Sequence, residues 1–215
     1  MDSIEVINSK TRQAYNLAAR RYHELFHDEM SRKEYDRNLL DHFSNSFNQV
    51  SFICDAGCGP SGHIGRYILD KGIPIVGVDI ADRCIQLGRE YNPQMQFAIC
   101  DIGAMPFRNE TFDGIIAYYS IIDTPKNYIG RLFREFHRVL KPSGRLLVAV
   151  KAGIAEGYLT ELLGIETEIY FTLFNLDEIR KYFQDGKFKL EFLEQRNPYQ
   201  FEIESERIFA IGRKE

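Results

Sequence analysis

The stretch that decides the fold of this chain is residues 52–62, FICDAGCGPSG. An apolar run ends in Asp55, and a glycine-rich turn follows before a helical pattern begins. Gly57 and Gly59 permit a tight turn whose bare backbone a ligand can approach, and the next helix N-terminus presents free N–H groups. A strand, a glycine turn and a helix in this order predict a ligand-binding α/β unit. Alone, the turn also admits a purely structural explanation.

Strands and helices alternate from residue 50 onward. The predicted strands are Ser51–Cys54, Pro74–Val78, Gln94–Ile99, Phe112–Tyr118 and Arg145–Val150, and the predicted helices between them are Gly62–Leu69, Ala81–Tyr91 and Tyr128–Leu140. This alternation implies right-handed βαβ units and a mainly parallel sheet with helices on both faces. Several of these strands lack polar alternation, which fits burial on two sides.

The two ends of the chain differ from this middle. The predictions are helices over residues 9–29 and 32–49, an irregular segment over Ala152–Tyr170, a helix over Leu176–Phe183, and strands over Phe188–Phe192 and Arg207–Gly212. The last two strands suggest an antiparallel hairpin at the sheet edge. We expect a single domain over 1–215, with a helical cap (1–49), a core (50–150) and a closing segment (151–215).

The charge balance excludes some classes of protein. The 215 residues hold 27 Lys and Arg against 31 Asp and Glu, a net charge of −4, which disfavours nucleic acid as the main partner. Residues 1–150 hold 18 of each sign, so the surplus of 13 acids over 9 bases falls in residues 151–215. If that surplus faces a cleft, it favours a neutral or cationic ligand over an anionic one.

The cysteines and the N-terminus indicate a reduced, cytoplasmic setting. Cys54 and Cys58 are spaced C-x3-C, and no second pair follows at zinc-site spacing, so no metal is expected. The N-terminal residues show no secretory signal, and no apolar run approaches the ~20 residues needed to span a bilayer. We therefore expect a cytoplasmic protein without a membrane partner, as a monomer or a homodimer.

Three acids follow three consecutive predicted strands, namely Asp55, Asp79 and Asp101. In an open α/β sheet, ligands bind in the crevice at the carboxyl ends of the strands. Asp79 lies 20 residues after Gly59, where an acid can accept hydrogen bonds from the hydroxyls of a ribose. Acids at strand ends also cap helices, but three of them beside a glycine turn favour a ligand site.

The chemistry of the turn separates two classes of cofactor. Gly57, Gly59 and Gly62 fit the G-x-G-x-x-G spacing of a nicotinamide dinucleotide site. Asp55, two residues before the first glycine, would repel bound phosphates and instead favours a ligand with a cationic amine. S-Adenosylmethionine has an amino-acid tail, a ribose and an adenine but no phosphate, so it fits this turn better. A nicotinamide-linked oxidoreductase is the alternative from another class.

Five ordered motifs resemble those of the class I S-adenosylmethionine-dependent methyltransferases, in particular their small-molecule, type 11-like branch. They are residues 55–59 (DAGCG), 76–80 (VGVDI), 100–107 (CDIGAMPF), 112–116 (FDGII) and 136–146 (FHRVLKPSGRL). The resemblance is strong over residues 50–150 and looser at residues 206–209. It implies a Rossmann-like, doubly wound, mainly parallel seven-stranded sheet with an antiparallel C-terminal strand and the N-terminal helices as a lid.

The resemblance also implies the residues of the site. Asp79 would bind the ribose hydroxyls, Ile80 would pack on adenine, and Asp101 would lie near the adenine amino group. The full expected cofactor set is Tyr15, Tyr22, Asp55, Gly57, Gly59, Asp79, Ile80, Asp101, Ile102 and Tyr118. The cofactor would leave as S-adenosylhomocysteine once its methyl group is transferred.

Two positions depart from the family pattern. Ser61 stands where the family often has a third glycine, and we expect the turn to stay intact. Where this branch often has a His after the fourth strand, the chain has Asp123. Asp123 could take a proton from an acceptor hydroxyl or amine, but the preferred interpretation is a cap for the helix that begins at Pro125. Tyr119 is the other candidate for a catalytic role.

The N-terminal helix carries Tyr15, Tyr22 and Phe26 on one face. This face is either a packing stripe or a lid, with Tyr15 and Tyr22 near the cofactor carboxylate and the substrate, and residues 152–170 would form the opposite wall. His63 and His137 have no visible partner. The sequence thus predicts a methyltransferase with a small-molecule acceptor. The alternatives are methylation of a protein or RNA, or cofactor binding without catalysis.

Overall fold

The computed structural model describes residues 2–215 as a central sheet with helices on both faces and a small second sheet beside it. The helices are α1 Ile4–Phe26, α2 Glu29–Arg32, α3 Glu34–Ser44, α4 His63–Leu69, α5 Asp82–Tyr91, α6 Lys126–Val139 and α7 Leu176–Asp185. The strands are β1 Ile53–Ala56, β2 Ile75–Asp79, β3 Gln96–Ile99, β4 Phe112–Tyr118, β5 Leu140–Lys151, β6 Glu156–Leu162, β7 Ile165–Thr172, β8 Phe188–Arg196 and β9 Arg207–Lys214.

The central sheet has seven strands in the order β3-β2-β1-β4-β5-β9-β8. Strands β1 to β5 pair with one another in parallel, and Cys54 in the centre pairs with both Val76 and Ile115. Strand β9 runs antiparallel to β5 and β8, which confirms the predicted fold and its C-terminal hairpin. The strand order reverses between β1 and β4, and such a switch point opens a ligand crevice at the carboxyl ends.

Two apolar layers fix the helices on this sheet. Phe133 and Phe136 of α6 are fully buried on one face, and Phe43 of α3 and Ile64 of α4 are buried on the other. Burying one such side chain stabilises the fold by ~1.5–3 kcal/mol. The carboxyl ends of β1, β2 and β4, and the loops that follow them, are therefore held in place by a well-packed scaffold.

The four cysteines are buried and form no disulfide. Within residues 2–215, no three His, Cys, Asp or Glu side chains are arranged to hold a metal ion. None of the helices in this part of the chain combines the length and apolar character that a bilayer crossing requires.

The segment Ala152–Tyr170, predicted as irregular, contains most of a β-hairpin, so that prediction is wrong. Strands β6 and β7 pair antiparallel through a two-residue turn in which Leu163 and Gly164 both have positive φ (55° and 82°). This is the geometry of the type I′ turn that suits hairpins. This hairpin has no strong sequence signal, because Leu163 replaces the usual Asn or Asp and both strands carry exposed polar residues.

Candidate active site

The glycine turn after β1 lies against the carboxyl end of β2. The backbone N–H groups of Gly57 and Cys58 both donate to the Val78 carbonyl, at 2.8 and 2.9 Å. Gly57 has φ +79°, and a Cβ there would overlap the Cβ of Ser120, in the loop after β4. Only glycine meets both demands, so the turn brings the ends of β1 and β4 together.

Asp79, at the end of β2, ties the turn to the next helix. Its Oδ2 accepts from the Gly59 N–H at 2.9 Å and its Oδ1 from the Ala81 N–H at 2.8 Å. Burial raises the pKa of Asp79 to about 6, against the lowering effect of these hydrogen bonds. Each carboxylate oxygen has two lone pairs, so both oxygens can still accept from a ligand hydroxyl.

Asp101, after β3, contacts the N-terminal helix directly. Its Oδ2 accepts from the Asn8 side-chain amide at 2.9 Å, and its Oδ1 from the Gly103 N–H at 2.7 Å. A second bond in the same region joins the Arg12 guanidinium to the Ile80 carbonyl at 3.1 Å. Helix α1 is therefore fastened across the carboxyl ends of β2 and β3.

A cavity lies between α1 and these strand ends, with about 850 Å³ of empty space including its open mouth. The predicted site residues that line it are Tyr15, Tyr22, Gly57, Gly59, Asp79, Ile80, Asp101, Ile102, Tyr118, Tyr119 and Asp123. The residues that line it all lie between Ile4 and Leu132, so neither the predicted wall at residues 152–170 nor the acidic surplus of residues 151–215 faces it.

Asp55 is the predicted cofactor residue that the structure places elsewhere. Its side chain is 1% exposed and its Oδ2 accepts from the Gly65 N–H at 3.0 Å, in the first turn of α4. Burial raises the pKa of Asp55 to about 7. Its carboxyl group thus supports the turn from behind and does not line the cavity.

Asp123 does not cap α6, so the preferred interpretation of this residue is wrong. The position before α6 is Pro125, with no side-chain cap, and Asp123 ends a short 3-10 helix, Ile121–Asp123. Its Oδ2 instead accepts from the Tyr15 hydroxyl at 2.9 Å, across the cavity. Burial raises the pKa of Asp123 to about 7, although Tyr15 and Lys151 act against this rise.

Three hydroxyl groups in the cavity wall, those of Thr11, Tyr119 and Ser120, are buried and have no hydrogen-bond partner among residues 2–215. Tyr119 also has φ +54°, a strained conformation that is enriched at functional sites. Buried polar groups without partners are costly unless a ligand completes them. Sequence reasoning missed Thr11 and Asn8, although both lie on the helical face of Tyr15, four and seven residues before it.

His63, for which no partner was expected, contacts the first residue of a chain of buried ion pairs. Its Nε2 lies 2.8 Å from the Glu29 carboxylate, which also pairs with Lys33 at 2.7 Å. Lys33 then reaches Glu202 at 3.0 Å, and Glu202 pairs with Arg196 at 3.0 Å. The chain joins the N-terminal helices to the loop between β8 and β9.

The same chain of ion pairs ends at the cavity wall. Arg196 donates to Asp36 at 2.9 Å, and Asp36 also accepts from the hydroxyl of Tyr118, which lines the cavity. Burial alone would raise the pKa of Glu202, but its bonds to Arg196, the Tyr199 N–H and Lys33 lower it to about 2. Glu202 is therefore the charged centre of this network.

The fold and this glycine turn define a class of protein that binds a nucleoside-containing cofactor at the switch point of the sheet. Residues 54–148 match the family described as a methyltransferase domain. The unpartnered hydroxyls of Thr11 and Ser120 fit such a ligand. Residues 54–148 are thus similar to the methyltransferase domain of the class I, type 11-like S-adenosylmethionine-dependent methyltransferases, and S-adenosylmethionine is the cofactor that this domain indicates.

Relatives and solved structures share this core. A malonyl-[acyl-carrier protein] O-methyltransferase of Pseudescherichia vulneris is 28% identical over 110 residues, which are 51% of this chain and 41% of that protein. A putative 23S rRNA (guanine-N(1)-)-methyltransferase of Bacillus subtilis is 29% identical over 128 residues, which are 58% of this chain and 41% of that protein. The matched region thus spans less than half the length of these relatives.

The fold of the whole chain is similar to that of a 1,6-didemethyltoxoflavin-N1-methyltransferase of Burkholderia thailandensis, solved with 1,6-didemethyltoxoflavin and S-adenosylhomocysteine bound. The TM-score is 0.75 at 14% identity, and the match covers 100% of this chain and 91% of the other. At this identity the likeness concerns the fold alone.

Proposed function

We propose that this protein transfers the methyl group of S-adenosylmethionine to a small-molecule acceptor. The observation that carries the proposal is the cavity between α1 and the strand ends, around which nine of the ten expected cofactor residues lie. When bound, the cofactor supplies a methyl group on a sulfonium, which is reactive enough that the protein mainly positions the acceptor and excludes water.

The residues that would hold the cofactor follow from the cavity wall. Asp79 would accept from the ribose hydroxyls, with Ile80 and Ile102 against the adenine and Asp101 near its amino group. The bare backbone of Gly57 and Gly59 would lie beside the amino-acid tail. Tyr15, Tyr22 and Tyr118 would enclose it, and Asp55 would act from behind the turn.

A small acceptor fits the way in which α1 covers the cavity. Tyr15, Tyr22, Tyr118 and Tyr119 all line it, so its walls combine aromatic surface with hydroxyl groups. The net charge of −4 disfavours RNA as a partner. The relatives are named for different acceptors, from an acyl-carrier protein substrate to rRNA, so the acceptor here is inferred from the cavity and not from kinship.

We also propose that residues 1–215 act as one unit, in which the cap 1–49 and the segment 151–215 close the core 50–150. The ion pairs from Glu29 to Arg196 join these parts. We further propose that the protein works in the cytoplasm, as a monomer or a homodimer, without nucleic acid or membrane as a partner.

Calorimetry and label transfer together test this function. We expect S-adenosylhomocysteine to bind with micromolar affinity and NAD not to bind. With a methyl-labelled donor and a metabolite extract, we expect label in small molecules. Tight NAD binding would contradict the cofactor assignment. Label confined to RNA or protein would contradict the acceptor class, and cofactor binding without any transfer would indicate a protein that binds but does not catalyse.

A further inference from the structure

Asp123 has a carboxylate that lines the cavity and is held by a single hydrogen bond in the described part of the chain. Its only hydrogen bond within residues 2–215 comes from the Tyr15 hydroxyl to Oδ2, and it caps no helix. Oδ1 has no partner in this part of the chain. Because Asp123 lines the cavity, this second oxygen is available to a ligand that can donate a hydrogen bond.

Charged and titratable groups surround Asp123 from three elements. Tyr15 and Tyr22 face it from α1, Asp79 from β2 and Lys151 from the end of β5. Tyr15 donates to the carboxylate and Lys151 attracts it, so both stabilise the charged form, whereas burial and Asp79 destabilise it. The result is a carboxyl group that exchanges its proton near neutral pH.

Lys151 is unusual in its own right. It is not exposed, yet among residues 2–215 its ammonium group has no hydrogen bond or ion pair. Burial lowers the pKa of Lys151, Asp123 opposes this, and Arg207 and Lys33 lower it further. Lys151 is half-buried, and Asp123 is the acid that acts on its charge.

We propose that Asp123 takes the proton of the methyl acceptor, and that the acceptor therefore carries an O–H or N–H group at the methylated atom. This inference rests on the proposed function. A lone pair of the acceptor oxygen or nitrogen forms the bond to the methyl carbon, and the carbon–sulfur electron pair stays with sulfur. The acceptor proton passes to Asp123, so a sulfonium and a carboxylate become a thioether and a carboxylic acid.

Tyr15 and Lys151 are positioning residues in this scheme. Tyr15 belongs to α1, so the carboxylate is held in place only when α1 covers the cavity. Removal of either the Tyr15 hydroxyl or the Lys151 charge takes away a group that favours the carboxylate. The pKa of Asp123 therefore rises in both Tyr15→Phe and Lys151→Met.

Infrared difference spectra of wild type against Asp123→Asn measure this proton without any acceptor. We expect a carboxylic-acid carbonyl band that disappears with a midpoint of about pH 7. Tyr15→Phe and Lys151→Met should each move the midpoint upward. Lys189→Met, which changes an exposed lysine of β8, is the matched control and should leave it unchanged. The absence of a titrating band, or a midpoint that neither variant moves, overturns the proposal.

Rates of label transfer to the acceptor fraction of the extract test the role in catalysis. We expect the wild-type rate to rise with pH, with the same midpoint pH as the infrared band. In Tyr15→Phe, the midpoint of the rate profile should move to higher pH by the same amount as the midpoint of the infrared band. Asp123→Asn should lose roughly 100-fold or more in rate, Asp123→Glu should recover part of it, and S-adenosylhomocysteine affinity should be unchanged in both.

The two proposals fail in different ways. If the wild type neither binds S-adenosylhomocysteine nor labels a small molecule, the proposed function is wrong. If it labels one but Asp123→Asn keeps its rate, or if the label lies on sulfur or carbon, only the inference about Asp123 is wrong. A rate profile that does not follow the infrared midpoint contradicts it equally.

Discussion

Asp79 uses both carboxylate oxygens to hold backbone N–H groups and still faces the cavity, so its loss should be felt first in ligand binding. Asp79→Ala should weaken S-adenosylhomocysteine binding by roughly 1–3 kcal/mol, because buried hydroxyls lose their acceptor. Calorimetry measures the change. Asp177→Ala, at a side chain that is 92% exposed, is the control. Unchanged affinity in a folded Asp79→Ala protein would mean that the ribose lies elsewhere.

Asp55 makes the stability of the protein depend on pH in an unusual direction. Its pKa is raised from 3.8 to about 7 by burial, so the folded state holds a proton that the unfolded state releases. This bound proton stabilises the folded state fully below about pH 4, and the stabilisation is lost as the pH rises towards 7. At about 1.4 kcal/mol per pKa unit, the loss is at most roughly 4 kcal/mol.

Urea unfolding of Asp55→Asn against wild type tests this direction. The amide cannot ionise, so the variant should gain stability over wild type between pH 4.5 and pH 7. Asp70→Asn, at a side chain that is 59% exposed, should not show this gain. If the wild type instead becomes more stable relative to Asp55→Asn as the pH rises, burial is not the dominant influence on the pKa of Asp55.

At the scale of elements, the glycine turn between β1 and α4 offers a matched pair of glycines. Gly57 and Gly164 have nearly the same φ, +79° and +82°, but only Gly57 has a close neighbour, Ser120. Gly164→Ala should cost about 1 kcal/mol for its backbone conformation. Gly57→Ala should cost more and also abolish cofactor binding, as thermal unfolding and calorimetry would show. Equal effects in both variants would contradict the close approach.

The elements that could be predicted are those with a strong physical signal. Strand β4 was predicted with the observed bounds, Phe112–Tyr118, because Phe112 and the run Ile115–Tyr118 are apolar. The hairpin β6–β7 could not be predicted, because its strands are half exposed and its turn has Leu163 where Asn or Asp is usual.

The candidate site shows the same division. The glycines and strand-end acids are local signals, and nine of the ten cofactor residues expected from them and from the family resemblance line one cavity. Their roles toward the cofactor stay predictions. The partner of Asp123 lies 108 residues away on α1, and no local pattern reports such a contact. The ion pairs of Glu202 likewise join distant segments, so they emerge only from the folded chain.

At the scale of the whole molecule, Glu202 links the N-terminal and C-terminal parts of the chain. It pairs with Lys33 near the N-terminus and with Arg196 at the end of β8. Glu202→Gln removes one of two acidic partners from Lys33, which keeps Glu29, and from Arg196, which keeps Asp36. We therefore expect a loss of stability below the roughly 3–5 kcal/mol of a fully broken buried pair. Urea unfolding measures the loss, and Glu204→Gln, in the same loop but exposed, should change little. Equal stability of both variants would mean that the network contributes no net stability.

Helix α1, which covers the cavity, also shields the thiol of Cys84. Cys84 is fully buried, and its Sγ lies 4.0 Å from the carbonyl oxygen of Tyr15 on α1. Burial raises the pKa of this thiol, with Asp79 and Asp82 adding to the rise, so it stays unreactive while α1 is in place. Alkylation of Cys84 would then proceed only through moments when the helix lifts. The alkylation rate of Cys84 thus reports how often the cavity opens, and a saturating ligand should lower that rate.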